Sequence, residues 1–189
     1  MKKRNLFRQK VQESNFKTDQ TEQFRKLVLS YKFNFYTLVK LPAAWFSGVR
    51  VKELTYDQCV VTVPFKWFSQ NPFKSTYFAC LAMAAEMSTG LPCMMAIHNE
   101  KPGFSMLVSD IKGNYVKKAT NVTTFVCRDV QKIFETVELA KTGDEGETVK
   151  TVTVGTDREG DIIARFDITW SIKRRKSNNS NSNSQKIDG

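Results

Sequence analysis

Apolar residues recur along this chain in two rhythms, every third or fourth position in some stretches and every second in others. From Thr21 to about Val39 the rhythm is helical, with Phe24, Leu27, Val28, Tyr31 and Phe35 spaced by three and four. Two helical pieces are expected to meet near Tyr31, and Pro42 to end the helix or bend the chain. "SGVRVKEL" (47–54) then alternates apolar and charged residues. With the turn "TYDQ" and "CVVTVPFKW" (59–67) it predicts a hairpin, Pro64 marking an edge or a bulge. Between Ser75 and Gly90 the residues are small or apolar on every face, as in a helix buried all round. Ser75 stands near its start, and Gly90 and Pro92 are expected to terminate it.

The second half is mostly strand. "FSMLVSDIKGNYVKKA" (104–119) predicts a long strand interrupted around Gly113, and "NVTTFVCR" (121–128) another. Asp129 can cap a short helix whose apolar face is Val130, Ile133, Phe134, Val137 and Ala140. The segments 147–156 and 161–172 flank "DREG", a hairpin turn signal. Strands on both sides of one apolar helix predict an α+β fold with an antiparallel sheet wrapped around that helix. The expected organisation is a flexible basic N-terminus (1–20), one domain with N-terminal helices (21–173) and a disordered polar tail (174–189).

Charge changes this picture little. The net charge is +10, but residues 1–10 carry five bases without an acid and "KRRK" (173–176) carries four more, so the body is near neutral. Basic ends without interleaved aromatic residues are solubilising tails or weak contacts with anionic surfaces, and no specific nucleic-acid partner is expected. The start "MKKRNLFRQK" lacks an apolar signal core, and the four cysteines form neither a CxxC pair nor a cluster with histidine. A cytoplasmic protein with free buried thiols, no disulfide scaffold and no metal site is the expectation. The run 76–97 is nearly long enough to span a bilayer, but Glu86, Ser88, Thr89, Gly90 and Pro92 interrupt it, so a core helix is expected rather than a transmembrane segment.

Glu86 is the chemically pointed residue. A helical wheel places it on a stripe with Ser75, Ala79, Ala82, Met83 and Gly90, and no base lies within a turn of it. An unpaired carboxylate there must reach water, a donor from elsewhere or a subunit interface, or hold its proton. Such an environment suits a general base or a nucleophile; it equally suits an acid that points out through a gap to solvent.

Asn71, followed fifteen residues later by this acid on an apolar helix, resembles the hotdog-fold acyl-CoA thioesterases, specifically the phenylacetyl-CoA thioesterase-like branch and its small bacterial members. "VSDIKGNYVKKATNVTTFVCR" is similar to the strand-turn-strand after the hotdog helix, and "VGTDREGDIIARFDITWSI" to the closing hairpin with its tryptophan. The resemblance spans about residues 40–173. One departure stands out: where the branch commonly has His-Gly-Gly, this chain has Tyr77-Phe78-Ala79, so its oxyanion site or acyl pocket must differ.

The resemblance implies hydrolysis of a thioester of coenzyme A or of an acyl carrier. The thioester is a substrate, and no cofactor is expected. Glu86 would activate water or attack directly, and Asn71 would orient the carbonyl or the water. Backbone N–H groups at the helix start would hold the oxyanion. Ser75, Tyr77, Phe78 and Ala79 would line the substrate site, Phe73, Phe78, Met83 and Met87 the acyl pocket, and Lys117 and Lys118 would face the coenzyme A phosphates. The implied assembly is a homodimer, possible tetramers included, with Asn71 and Glu86 acting across the interface. The rival reading is a hotdog module that binds acyl-CoA or lipid without hydrolysing it; a dimer with no ligand is a third. The lone histidine, His98, lies beyond Pro92, away from the site that a hotdog dehydratase would need, and GxSxG, Rossmann and P-loop patterns are absent.

Overall fold

Thr18 opens the first helix by a reciprocal cap: its hydroxyl accepts from Thr21 N (3.2 Å), while its own N–H donates to Thr21 Oγ1 (3.0 Å). This is a computed structural model describing residues 18–143 and 145–175. Of the predicted flexible basic terminus (1–20) and polar tail (174–189), residues 1–17 and 176–189 lie outside the described residues; Thr18 to Gln20 form the cap and first residues of the first helix, ahead of the predicted start at 21. Helix α1 (Asp19–Val28) buries Phe24 and Val28, and α2 (Tyr31–Lys40) buries Phe33 and Thr37. The two meet at Ser30, whose hydroxyl donates to Leu27 O at 2.6 Å. Pro42 does more than end α2. It sits in the first turn of a short helix α3 (Pro42–Ser47), where its missing N–H has no intrahelical partner to lose. Gly48 ends α3 at φ +81°, and a side chain there would meet Lys66 and Pro64 within 3 Å.

Strand β1 (Arg50–Leu54) pairs with β2 (Cys59–Val63) through the expected turn, tied by Gln58 N donating to Thr55 Oγ1. Strand β2 is shorter than the sequence predicted. Pro64 has no N–H to continue a ladder, and its carbonyl accepts from Ser69 Oγ (2.6 Å) as Trp67–Ser69 turns into a 3₁₀ helix.

The central helix α4 runs Phe78–Ala96, which corrects both predicted ends. Ser75 lies outside it, in the preceding loop. Gly90 and Pro92 lie inside it. Gly90 makes room for the Trp170 ring, which a Cβ would approach to 3.0 Å, and Trp170 Nε1 donates to Thr89 Oγ1 at 3.0 Å. Pro92 costs the helix an internal hydrogen bond, but it is buried with Leu91, Cys93 and Met95, and their packing holds the last turn in place.

Strands β3 (Phe104–Tyr115), β4 (Thr123–Cys127), β5 (Glu147–Thr156) and β6 (Ile162–Arg174) complete one antiparallel sheet in the order β1-β2-β4-β5-β6-β3. Strand β3 is not interrupted at Gly113. Its irregularity falls between Val108 and Asp110, and Gly113 lies in regular register opposite Phe166, whose ring fills the space of a Cβ (2.7 Å). Strand β6 continues one residue past the predicted domain limit, to Arg174, which pairs with Phe104. Helix α5 (Val130–Thr142) buries the predicted face, but Asp129 does not cap it: its carboxylate accepts from Val152 N (2.7 Å) and ties the helix to β5. Helix α4 crosses β1, β2, β4, β5 and β6, and α5 packs beside it on β5 and β6. A sheet curved around one central helix is the hotdog architecture that the sequence resemblance implies. By length and composition α4 could cross a membrane, but two-thirds of it is buried within the sheet, as befits a core helix.

Candidate active site

The loop from Asn71 to Tyr77 is built on one amide. Asn71 Oδ1 accepts from Phe73 N (2.9 Å) and Ser75 N (3.3 Å), and Nδ2 reaches Ser75 Oγ (3.1 Å) and Thr76 O (3.5 Å). Lys74 takes a left-handed turn at φ 55° to close the loop. Thr76 N then donates to Ala119 O and Tyr77 N to Ser69 O, which fixes the entry into α4. Among the described residues no side chain caps that helix start. The first-turn amides of Phe78 and Ala79 therefore have no acceptor within the helix, as at any helix N-terminus.

Beside this loop is a cavity of about 570 Å³ lined by Asn71, Phe73, Ser75, Tyr77, Phe78 and Tyr115, among others. Five predicted site residues thus come together. Tyr77 and Phe78 pack edge to face (4.7 Å between centroids), and the contacts continue through Tyr115 to Phe166. Ala79 and Met83 are not among the lining residues; Met83 packs against the core. Lys117 and Lys118 border this cavity, but Lys117 Nζ is clamped by Asp161 (2.7 Å) and Asp157 (3.0 Å). Those hydrogen bonds raise the Lys117 pKa and lower that of Asp157, so Lys117 is already neutralised where the sequence reading has it facing phosphate.

Glu86 lies elsewhere. It is eight residues into α4 from Phe78, about 12 Å along the axis. It opens on a second cavity of about 260 Å³, shared with Phe33, Tyr36, Lys40 and Leu41 from the N-terminal helices and their junction, and with Met87 and Met106. Among the described residues no hydrogen bond or ion pair reaches its carboxylate, and burial raises its pKa. A single chain therefore does not bring Glu86 and Asn71 together: their cavities share no lining residue.

Tyr36, Lys40 and Met106 were not picked out from the sequence. The only available signal was the helical rhythm of α2, in which Phe33 and Thr37 face the core and leave Tyr36 and Lys40 on the adjoining face. Other side chains that could carry chemistry have structural surroundings. Ser88 Oγ donates to Ala85 O (2.7 Å) and bonds Thr153 Oγ1 (2.8 Å) in the core. His98 packs on Phe24 at 4.9 Å. Burial raises the thiol pKa values of Cys59, Cys93 and Cys127, the last to about 12, so none of the three is a nucleophile near neutral pH.

A family model described as "Domain of unknown function (DUF4442)" matches residues 32–172. No curated protein sequence matches. Several solved structures share the fold. PA5026 of Pseudomonas aeruginosa, described as a protein of unknown function and probable thioesterase, superposes with a TM-score of 0.65 at 17% identity, covering 78% of this chain and 97% of its own. A protein of unknown function from Chlorobaculum tepidum gives 0.65 at 14% identity over 77% and 94%. Thioesterase HI1161 of Haemophilus influenzae gives 0.56 at 14% identity over 87% and 97%.

Proposed function

The chain belongs to the DUF4442 family, and on that footing we propose that it hydrolyses the thioester of an acyl-CoA or acyl carrier with Glu86 as general base. The observation that carries this reading is the half-buried Glu86 carboxylate, unpaired among the described residues and opening on a cavity walled by Phe33, Leu41, Met87 and Met106. Its hotdog neighbours include thioesterases.

In this reaction Glu86 takes a proton from water as the water oxygen attacks the thioester carbonyl. The oxyanion of the tetrahedral intermediate is held by the free amides at the start of α4. Collapse breaks the carbon–sulfur bond, and Glu86 returns the proton to the departing thiolate, giving a carboxylic acid and a thiol. Asn71 positions the helix start through the loop that it ties. Since that loop and Glu86 open on different cavities in one chain, the reading requires a homodimer in which Glu86 of one copy faces the helix start of the other.

The free edge of the sheet supports this assembly. Among the described residues strand β3 pairs only with β6. Ile111 and Tyr115, opposite Ile168 and Ala164 on the inner face, nonetheless remain 47% and 45% exposed. A second copy set against β3 would cover them.

A specific observation favours the rival, a module that binds acyl-CoA or lipid without hydrolysis. Phe78 and Ala79 stand at the helix start where the resembling enzymes have glycines that let the thioester approach, and the Phe78 ring packs on Tyr77. One experiment separates the two: hydrolysis of a short-, medium- and long-chain acyl-CoA panel by the native chain and by Glu86→Gln. The expected result is turnover that falls about 10²–10⁴-fold in the variant, with fold and oligomer unchanged. Saturable binding with no turnover by either protein would establish the binding module instead.

A further inference from the structure

The N-terminal helices carry an outward face that the proposed chemistry does not use. On α2, Tyr31, Phe35 and Val39 follow one another at intervals of four, opposite the buried Phe33 and Thr37, and are 80%, 67% and 57% exposed. Helix α3 packs against α2 and against the 3₁₀ turn. There, the exposed Phe46 ring meets Phe68 at 5.4 Å, and Phe68 meets Trp67, itself 75% exposed, at 4.7 Å. Isolated exposed apolar residues are ordinary; an apolar helix face and a cluster of exposed rings on elements that pack together are the kind of surface that docks on something.

The segments that form this face carry charge of one sign. Between Glu22 and Glu53 the chain has six bases and no acid, and between Asp57 and Glu86 it has Lys66 and Lys74 and no acid. Lys32, Lys40 and Lys66 are exposed beside the rings. A symmetric contact with a second copy would bring these lysines against one another. A layer of anionic lipid headgroups complements them, and the headgroup zone is where tryptophan and phenylalanine rings partition.

We propose that the face formed by α2, α3 and the Trp67–Ser69 turn docks on anionic bilayer surfaces, with Trp67, Phe68 and Phe35 inserted at the headgroup level. Tyr36 and Lys40 of α2 and Leu41 at its junction with α3 border the Glu86 cavity. Docking therefore sets that cavity against the lipid, where an apolar chain can reach it without crossing water. The docking itself does not depend on the hydrolytic reading and is measured without turnover.

The test is co-sedimentation of the full chain with vesicles of phosphatidylcholine alone and of phosphatidylcholine mixed with phosphatidylglycerol, with tryptophan emission followed in parallel. The expected result is binding to the anionic vesicles only, weakened by salt, with a blue shift that Trp67→Ser abolishes. Phe35→Ser/Trp67→Ser should lose binding more than tenfold, and Lys32→Glu/Lys66→Glu should lose at least about fivefold for each lysine removed. Glu86→Gln should bind as the native chain does, whether or not it turns over thioesters. Failure to bind anionic vesicles, or binding unchanged in the aromatic double variant, would overturn the proposal. It would also be overturned if that variant converted a lipid-free oligomer into smaller species in sedimentation velocity, since the face would then join two copies of the chain.

Discussion

Glu86 is held at the boundary between a core helix and a cavity, and burial raises its pKa above the ordinary 4.5. Two consequences follow from the direction of that shift. As a base Glu86 works only when ionised, so kcat/KM should climb with pH through a midpoint above the ordinary carboxylate value, and a pH–rate profile reads this directly. Stability moves the opposite way. Between the unfolded and folded pKa values the native state binds more protons than the unfolded state, so the contribution of Glu86 is full below the unfolded value and is lost as pH rises through the folded one. Glu86→Gln removes that loss. The melting temperature of the variant should gain on that of the native protein as pH is raised from the acid side toward neutrality. Lys117 shows the reverse lesson: a cation that the sequence offers to a ligand is already spent on Asp157 and Asp161.

At the level of elements, α4 shows how packing overrides local signals. Glycine and proline within three residues mark a helix end, yet the helix continues because Leu91, Pro92, Cys93, Met95 and Ala96 are buried and Gly90 is the seat of Trp170. Gly90→Ala tests this. Alanine is the better helix former by about 1 kcal/mol, but its Cβ would meet Trp170 at 3.0–3.1 Å and Glu86 Oε1 at 3.2 Å. Trp170 is anchored to Thr89, so overpacking of about 1–3 kcal/mol should prevail. The expected outcome is a net loss of about 1 kcal/mol in urea unfolding. Gly113 follows the same logic in β3: it resembles a break in the sequence and is a seat for Phe166 in the structure.

For the whole molecule, the sheet order decides which surfaces remain open. Strand β3 ends up at the edge beyond β6, and its inner-face Ile111 is left half uncovered. Ile111→Lys would place a charge where the second copy is proposed to lie. The expected outcome is a shift from twice the chain mass to the chain mass in sedimentation equilibrium, with thioester turnover lost along with the dimer. A turnover-competent monomer would contradict the assembly on which the two-chain site depends.

Residues near in the chain settle matters that depend on local periodicity. The rhythm of three and four marked α1, α2 and α5, alternation marked the hairpins, and a helix apolar on every face beside six strand segments required a sheet wrapped around it. That much was legible because burial imposes its period on the sequence. The spacing of Asn71 and Glu86 was legible too, as was the apolar setting of the acid. The sequence alone could not say that Asn71 spends its amide on its own loop, that Lys117 is clamped, that Asp129 reaches β5, or that Tyr36, Lys40 and Met106 wall the Glu86 cavity. Each of these depends on groups far apart in sequence meeting in space, and no local period records such a meeting. Gly90 and Pro92 belong with them: whether a helix stops at a weak point depends on what packs against it there, which only the tertiary structure decides.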